Sequence, residues 1–231
     1  LRSVDTRAHG DTHAAVGKGA AHKRSGGAGA PGVDVGVVTN TTRAYIGKSS
    51  TVDASRNVIV QAQSAEDILS VAASIAGSGG ISGAGSVAVI DITNLTEAYI
   101  GQQADVNAGG NVLVNASDAT DIDLVAGAVA VALGGGGVGA GVGVISITKD
   151  TKAYVSAGAD IDAKGNGSNN VINDVFSGSI GTNSFNRVDD IRGLVVNANS
   201  SEDVLVVAAA GAVSSTVAIA GAISVEVIDS D

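Results

Sequence analysis

The sequence repeats itself with a period of 54 to 55 residues, and this repeat limits the folds open to the chain. The tetrapeptide Ala-Tyr-Ile-Gly at residues 44–47 returns at 98–101, and Ala-Tyr-Val follows at 153–155. Such a repeat indicates a structural unit that stacks on its neighbours, because one unit alone cannot bury its apolar face. The chain is therefore predicted to be an array of stacked units rather than a domain with one central core.

The repeat continues downstream of each tyrosine. An apolar, alternating pattern recurs at residues 58–62, 112–116 and 194–198. The third copy is longer by about 27 residues, and the excess is rich in Asn, Gly and Ser. We predict that residues 165–191 are a loop insertion on one face of the stack, protruding and mobile, which carries the specificity of this segment.

The boundaries of the copies follow from these matches. Residues 1–24 are either a degenerate copy or an irregular end, although residues 12–17 resemble 96–101. The rest of the chain divides into a partial copy and three full copies, at residues 25–40, 41–94, 95–150 and 151–231.

Apolar side chains alternate within each copy, as they do in half-buried strands. Val58, Val60 and Ala62 share one face, whereas Asn57 and Gln61 point the other way. Gly, Asn, Asp and Ser interrupt the apolar runs after four to seven residues, and no segment combines helical periodicity with caps. We therefore predict an all-β fold, a right-handed parallel β-helix (β-solenoid). Each copy is expected to form two or three coils, which gives a rod of roughly 35–50 Å.

Composition and charge narrow the class of protein. The 231 residues include 33 Gly, three Tyr and two Phe, and they include no Cys, Met or Trp. Zero Cys excludes disulfides and thiolate metal sites and is compatible with export. Residues 25–231 hold 8 basic and 21 acidic residues, which argues against nucleic acid or anionic lipid as a partner. The chain starts without Met or a leader, so we expect an internal or processed piece.

Two long uncharged runs, at residues 124–147 and 204–225, have the hydropathy of membrane helices. The first run contains four consecutive glycines at 134–137, and each costs a helix roughly 1 kcal/mol relative to Ala. We assign both runs to strands of the repeat and predict no membrane span.

Both alternating faces of these strands are apolar, so neither face should be left in water. One explanation is lateral self-association with a second copy or with neighbouring segments of the same protein, which we favour. The other is packing of the Gly/Ala half of each copy inside the other half. We expect an outward column of Ile59, Leu113 and Val195 to enlarge the apolar surface. We also expect that, among single Lys substitutions at Ala128, Ala130 and Ala132, a change on the outward face gives a soluble folded monomer.

The repeated Thr-x-Ala-Tyr-Ile-Gly, Val-x-Ala and Asn-Val-x-Val-x-Ala units resemble the repeat regions of large filamentous adhesins of the haemagglutinin and leukotoxin-like class. The resemblance covers about residues 25–231. It implies a parallel β-helix shaft, two-partner secretion through an outer-membrane protein, a secreted or cell-surface location, and attachment to host cells or glycans. This class offers no catalytic residue to transfer, so we expect a structural or adhesive protein without a cofactor rather than an enzyme.

A carbohydrate-acting or carbohydrate-binding parallel β-helix is the alternative. Such enzymes need carboxylates or basic groups clustered in a groove. In the insertion, Asp174, Asp189, Asp190 and Arg192 do not recur in the other copies, so they form the only candidate catalytic patch in the sequence.

Polar residues suggest three further candidate sites. Asp67, Asp121 and Asp203 align between copies, which favours turn capping, with calcium binding as the alternative. A metal site at His9, Asp11 and His13 is disfavoured, because three nearby candidates without a rigid scaffold specify no geometry. Glycosylation is left open at the Asn-x-Ser/Thr sequons of Asn40, Asn94, Asn115, Asn166 and Asn199.

Overall fold

The computed structural model of the protein describes residues 4–14, 21–24, 27–165, 171–173, 175–180 and 185–231, with side chains at 29, 31–165, 171–173, 175, 187 and 189–231. The described chain is built of strands and turns. The strands are β1 (Val4–Ala14), β2 (Ala21–Arg24), β3 (Gly27–Ile46), β4 (Thr51–Ala54), β5 (Val58–Ser78), β6 (Ile81–Ile100), β7 (Asp105–Ala108), β8 (Val112–Ala132), β9 (Gly136–Val155), β10 (Asp160–Ala163), β11 (Val175–Ile180), β12 (Phe185–Val188), β13 (Leu194–Ser214) and β14 (Val217–Ser230).

Three parallel sheets form the stack, and the prediction of an all-β parallel solenoid is confirmed. Sheet A has the order β1-β5-β8-β13, with β2 also paired to β5. Sheet B has the order β3-β6-β9-β14, and the small sheet C has the order β4-β7-β10. The chain runs along a long strand of sheet A, turns, returns along sheet B and crosses sheet C before the next coil begins.

Each copy forms a single coil, so the expectation of two or three coils per copy is wrong. Val58 of β5 lies opposite Val112 of β8, and Val33 of β3 lies opposite Val87 of β6. The long strands have 20 or 21 residues instead of four to seven, because Ser and Gly fit inside a parallel stack without ending it. The described coils are coil 1 (residues 4–54), coil 2 (58–108), coil 3 (112–163) and coil 4 (194–230).

The length predicted for the rod is wrong for the same reason. Neighbouring strands of a sheet lie about 4.8 Å apart, so four stacked coils span only about 15 Å between the first and last backbone. The solenoid is therefore short along its axis and broad across it.

The described strands of the N-terminal segment, β1 and β2, stack on coil 2. Val4 lies opposite Val58 and Ala21 lies opposite Ile75, so β1 and β2 share the register of the later coils. Thr12 lies opposite Glu66 in sheet A. Residues 96–101 lie in sheet B and the turn after it. The proposed match of residues 12–17 to them is therefore wrong, because the few residues that the two segments share do not fix the register.

Each coil has a wide end and a thin end. At the wide end, sheet C and the adjoining parts of sheets A and B enclose a three-sided apolar core. Its buried side chains are Ala and β-branched residues from successive coils, including Ile46, Val58, Val60, Ile100, Val106, Val112 and Val114.

The thin end, here named the blade, consists of residues 27–38, 68–92, 122–147 and 204–228. Its inner core changes from Ile and Leu near the middle of the coil to Ala near the tip turns. Sheets A and B come so close there that a Cβ on Gly141 would lie 2.6 Å from the carbonyl oxygen of Ala209. The Gly/Ala half of each copy is thus packed against itself within the chain.

Alanines 128, 130 and 132 all lie on the inner face of the blade. They are two residues apart and therefore share one face of β8. The expectation that one of them would probe the outward face is wrong. The two uncharged runs lie in β8–β9 and β13–β14, and no described helix is long and apolar enough to cross a membrane.

The insertion between β10 and β13 lies partly on the outside of sheet A. Its strands β11 and β12 are antiparallel, and Ile172 forms a bridge with Ile191. Ile172 and Val175 are buried against Leu113, which is only 2% exposed. The insertion therefore covers the column of Ile59, Leu113 and Val195, instead of leaving it open for self-association as expected from the sequence.

Candidate functional site

The three recurring aspartates lie side by side on the outer face of sheet A. Asp67 pairs in register with Asp121, and Asp121 pairs with Asp203, so the predicted superposition of the copies is confirmed at this position. Burial raises the pKa of Asp121, and the negative charges of Asp203, Asp123 and Asp67 raise it further. The column therefore holds like charges close together at the root of the blade.

The aspartate column does not have the geometry of a formed metal site. Among the described residues, no group of three or more His, Cys, Asp or Glu side chains is arranged to hold a metal ion. The three carboxylates lie one per strand along a line, whereas Ca²⁺ takes six to eight oxygens around a point. The side chains of His9, Asp11 and His13 lie outside the described residues.

A belt of polar side chains crosses the interior between the wide core and the blade. Sequence analysis missed this belt, although its members occupy inward positions in the alternating strands. On sheet A the polar belt comprises Ser64, Glu66, Asp118, Thr120, Ser200 and Glu202. On sheet B it comprises Asn40, Thr42, Asn94, Thr96, Lys149 and Thr151.

Lys149 is the centre of the belt in coils 3 and 4. Its Nζ lies 2.6 Å from Asp118 Oδ1 and 3.2 Å from Glu202 Oε1. It also donates hydrogen bonds to the backbone carbonyls of Asp118 and Ser201. Burial favours the neutral form of Glu202, but Lys149 and hydrogen bonds from Ser200, Lys149 and Ser230 hold the pKa of Glu202 below its usual value.

Beside Glu66 of coil 2, Asn40 of coil 1 takes the register position that Lys149 has beside Glu202. Asn40 Nδ2 donates to Glu66 Oε1 at 3.1 Å, and the hydroxyls of Ser64 and Thr120 donate to the same carboxyl group. Burial raises the pKa of Glu66, repulsion from Asp118 raises it further, and these hydrogen bonds oppose both effects. The belt thus places one lysine between the carboxylates of coils 3 and 4, and it relies on neutral donors around Glu66.

Three tyrosines form a second column, on the outer face of sheet B at the wide end. The rings of Tyr45 and Tyr99 stack with centroids 5.1 Å apart and planes 7° apart, and Tyr99 stacks on Tyr154 in the same way. Beside this column, Arg43 is paired with Glu97. Both faces of the Tyr99 ring are covered by tyrosine, so this column stabilises the stacking of coils and leaves no flat central ring for a ligand.

Comparison with known proteins gives no assignment. No protein-family model, no curated protein and no solved structure matches this chain.

The described members of the candidate catalytic patch lie close together in the sequence after β12. Asp189 and Asp190 follow β12, and their side chains and that of Arg192 are exposed. Asp190 has φ of 61°, and its backbone N donates to Asn173 Oδ1. Asp174 lies outside the described residues. The described members thus lie in a turn that returns the chain to sheet A.

The sequons do not offer a uniform surface for glycans. The side chains of Asn94, Asn115 and Asn199 are buried, and Asn40 is half-buried and donates to Ser64 Oγ and Glu66 Oε1. Asn166 lies outside the described residues. N-linked sugars need an accessible amide, so attachment at the three buried positions would require the folded coil to open.

Apart from Asp91 and Asp123 near its root, the outer faces of the blade are mainly apolar on both sheets. On sheet A, Ile75 is 58% exposed and Val129 is 42% exposed, and on sheet B Val33 and Val35 are exposed to similar degrees. Near the tip turns, Ala on the inside and larger residues such as Ile75 and Val129 on the outside give a thin, flat body. Sequence alternation revealed that both faces are apolar but not which of them is inside.

Proposed function

We propose that this chain is a segment of the shaft of a larger secreted surface protein or filament, and that its role is structural and adhesive. The observation that carries the proposal is the register. One sequence copy makes one coil, and the same kinds of side chain meet between coils in the aspartate and tyrosine columns. Such a stack extends by adding copies, because each coil contacts only its neighbours.

The charge distribution supports a scaffold more than an enzyme. Coils 2, 3 and 4 each contribute one aspartate to the column, and the ion pair between Lys149 and Asp118 is buried. A hydrolase or lyase needs its carboxylates in a groove that a sugar chain can enter. The carbohydrate-acting or carbohydrate-binding alternative therefore has less support, and a host-cell or glycan ligand would be held by other surfaces of the parent protein.

Removal of one whole coil tests the shaft proposal. Deleting residues 58–111 joins Asn57 to Val112, which occupies the same register position as Val58. The shortened chain should keep its β-sheet circular dichroism spectrum and a cooperative melting transition. Deleting residues 58–84 instead removes half a coil. The rest of β6, a strand of sheet B, then follows β4 where a strand of sheet A is required, so folding should be lost. If both deletions unfold the chain, the coils are not interchangeable shaft units.

Two further measurements separate the proposal from its alternative. The purified chain should neither cleave nor retain polysaccharides in a panel of acidic and neutral glycans, whereas a carbohydrate-acting protein should do one of these. Antibodies raised against the chain should label intact cells of the source bacterium. Labelling only after the cells are broken would contradict a secreted or cell-surface location.

A further inference from the structure

The outer face of the blade on sheet A carries a groove that crosses coils 2, 3 and 4. Its volume is about 410 Å³. The floor is a column of small residues, Ala73, Gly127 and Ala209, one from each strand. Gly127 has open space where a Cβ would lie. The walls are columns of larger apolar residues, with Val71, Val125 and Val207 on one side and Ile75 and Val129 on the other.

This face is apolar from its root to its tip. Towards the wide end it is bordered by the aspartate column, to which Asp123 adds one more charge. Beyond that border, outward positions of β5, β8 and β13 hold only Leu, Val, Ile, Ala and Gly. Leu133 at the tip turn is 76% exposed and Leu205 is 54% exposed. Exposed apolar surfaces of this continuity usually bind another molecule.

We propose that this groove face, defined by the outward residues of 69–77, 125–133 and 205–213, binds the same face of a second copy of this chain. The proposal rests on the shaft function and names its lateral partner. The ridges of the face repeat once per strand, at about 4.8 Å along the solenoid axis. A second solenoid has the same axial repeat, so the residue rows of the two faces can run in register with each other along the axis.

The interior of the blade shows that such faces can pack closely. There, Gly141 of sheet B lies so near Ala209 of sheet A that no Cβ fits between them. The outer face uses the same residue types, with a small central column between larger ones. A two-fold axis through the middle coil would place Gly127 beside its own copy, because Gly127 lies at the centre of the face.

The size of the face predicts a weak dimer. Three strands at about 4.8 Å, each with about ten residues at about 3.3 Å, give roughly 480 Å² per partner. A standard specific interface buries about 800 Å² per partner. The acidic border adds repulsion between copies, which salt screens. Association should therefore depend on concentration, strengthen at high salt, and increase with the number of coils in a longer shaft.

Sedimentation velocity over a range of concentrations tests the proposal with single lysine substitutions. Gly127→Lys places a charge in the groove where there is open space, and Val129→Lys charges the wall. Val87→Lys charges the outer face of the blade on sheet B. Thr93→Lys makes the same change of charge on the polar part of sheet B and is the matched control.

The wild-type chain, Thr93→Lys and Val87→Lys should dimerise at high salt. Gly127→Lys and Val129→Lys should stay monomeric, with dimer affinity weaker by on the order of tenfold or more and unchanged circular dichroism. A wild-type chain that remains monomeric at all concentrations would overturn the proposal. So would loss of the dimer in Val87→Lys alone, because the contact would then be on sheet B.

Cross-linking gives a second readout that does not depend on affinity. The chain has no Cys, so Gly127→Cys introduces the only thiol, and Thr93→Cys is the control. A short bis-maleimide should link Gly127→Cys into covalent dimers much faster than Thr93→Cys. Equal rates would contradict the two-fold contact. The coil deletion measures folding and this experiment measures pairing, so failure of one proposal is distinct from failure of the other.

Discussion

Lys149 Nζ lies 2.6 Å from Asp118 Oδ1, and neither side chain reaches solvent. The lysine comes from sheet B and the aspartate from sheet A, so the ion pair joins the two sheets in the interior of coil 3. The same nitrogen pairs with Glu202 of coil 4. Because a buried charge without a partner is costly, this cluster favours one order of coils over a stack shifted by one copy.

Replacing Lys149 with Met should destabilise the chain by about 3–5 kcal/mol, because Asp118 and Glu202 lose their buried counter-charge. Urea denaturation followed by circular dichroism measures this loss. The double variant Lys149→Met/Asp118→Leu is the control and should recover much of it, since one buried charge is removed together with its partner. A loss below about 1 kcal/mol for the single variant would mean that solvent reaches the cluster.

The contributions of Glu66 and Glu202 to the stability of the fold should depend on pH in opposite directions. The raised pKa of Glu66 means that its contribution to stability is fully present below its unfolded pKa and is lost as the pH rises through its folded pKa. Glu66→Gln should therefore raise the Tm at pH 7 and have little effect in acid, where the wild-type carboxyl is already protonated.

Glu202→Gln is the matched control within the same belt. The lowered pKa of Glu202 gives stability that is present above its unfolded pKa and is lost as the pH falls through its folded pKa. This variant should lower the Tm at pH 7 and have little effect in acid. Melting curves between acid and neutral pH measure both. If the two variants shift the Tm in the same direction at pH 7, the assignment of charge in the belt is wrong.

The inner and outer glycines of the blade should respond differently to alanine. Gly141→Ala should cost about 1–3 kcal/mol, because its Cβ would lie 2.6 Å from Ala209 O and 3.1 Å from Ala126 O. Gly127→Ala on the outer face meets no atom within 4 Å and should be neutral or stabilising by up to about 1 kcal/mol. Chemical denaturation of both variants decides. Equal losses of stability in the two variants would contradict the close approach of sheets A and B at Gly141.

The sequence predicted the class of fold because alternation and repeat spacing are local signals. The inward faces of Val58, Val60 and Ala62 and the alignment of Asp67, Asp121 and Asp203 are confirmed. Strand length was not predicted, since Ser and Gly suggest breaks in an isolated strand. In a parallel stack, neighbours on both sides keep the strand extended.

The polar belt and the covering insertion were missed for different reasons. Asn40 and Asn94 recur at one inward position, and Lys149 takes that position in the next coil, so an alignment of the copies contained a signal for the belt. Ile172 and Val175 lie in a stretch that does not repeat. Nothing in their spacing shows that they pack on Leu113, which is a contact between distant parts of the chain.

Removal of the insertion should expose an apolar column. Replacing residues 164–193 with Gly-Gly-Asn copies the connection at 109–111 between coils 2 and 3. In the native chain, Asn111 Oδ1 accepts a hydrogen bond from the backbone N of Gly193, and the new Asn takes the place of Gly193. The coils should still stack, but exposure of Leu113 alone should cost about 1.5–3 kcal/mol.

Leu113→Thr separates this effect from a failure of the connection. In the intact chain the substitution should lower the Tm, because Leu113 is buried under Ile172 and Val175. In the shortened chain it should have little effect on the Tm and should improve solubility. If the shortened chain is as stable as the intact one, the insertion does not cover the column in solution.

Asp121 should destabilise the folded chain at neutral pH, because burial and the charges of Asp203, Asp123 and Asp67 raise its pKa. The stability associated with its protonated form is present below its unfolded pKa and is lost as the pH rises through its folded pKa. Asp121→Asn should therefore raise the Tm at pH 7 and leave it unchanged in strong acid. Asp91→Asn is the matched control, since its neighbours in register are Val37 and Ser146, and it should have little effect.

A comparison of calcium with magnesium tests whether the aspartate column binds calcium. Calcium and magnesium at equal millimolar concentration screen the aspartates alike, so both should raise the wild-type Tm by the same small amount and should have less effect on Asp121→Asn. Ca²⁺ prefers six to eight oxygens, and the column presents its carboxylates in a line without a described enclosing site. A rise that calcium alone produces, and that Asp121→Asn abolishes, would instead establish a calcium site at Asp67, Asp121 and Asp203.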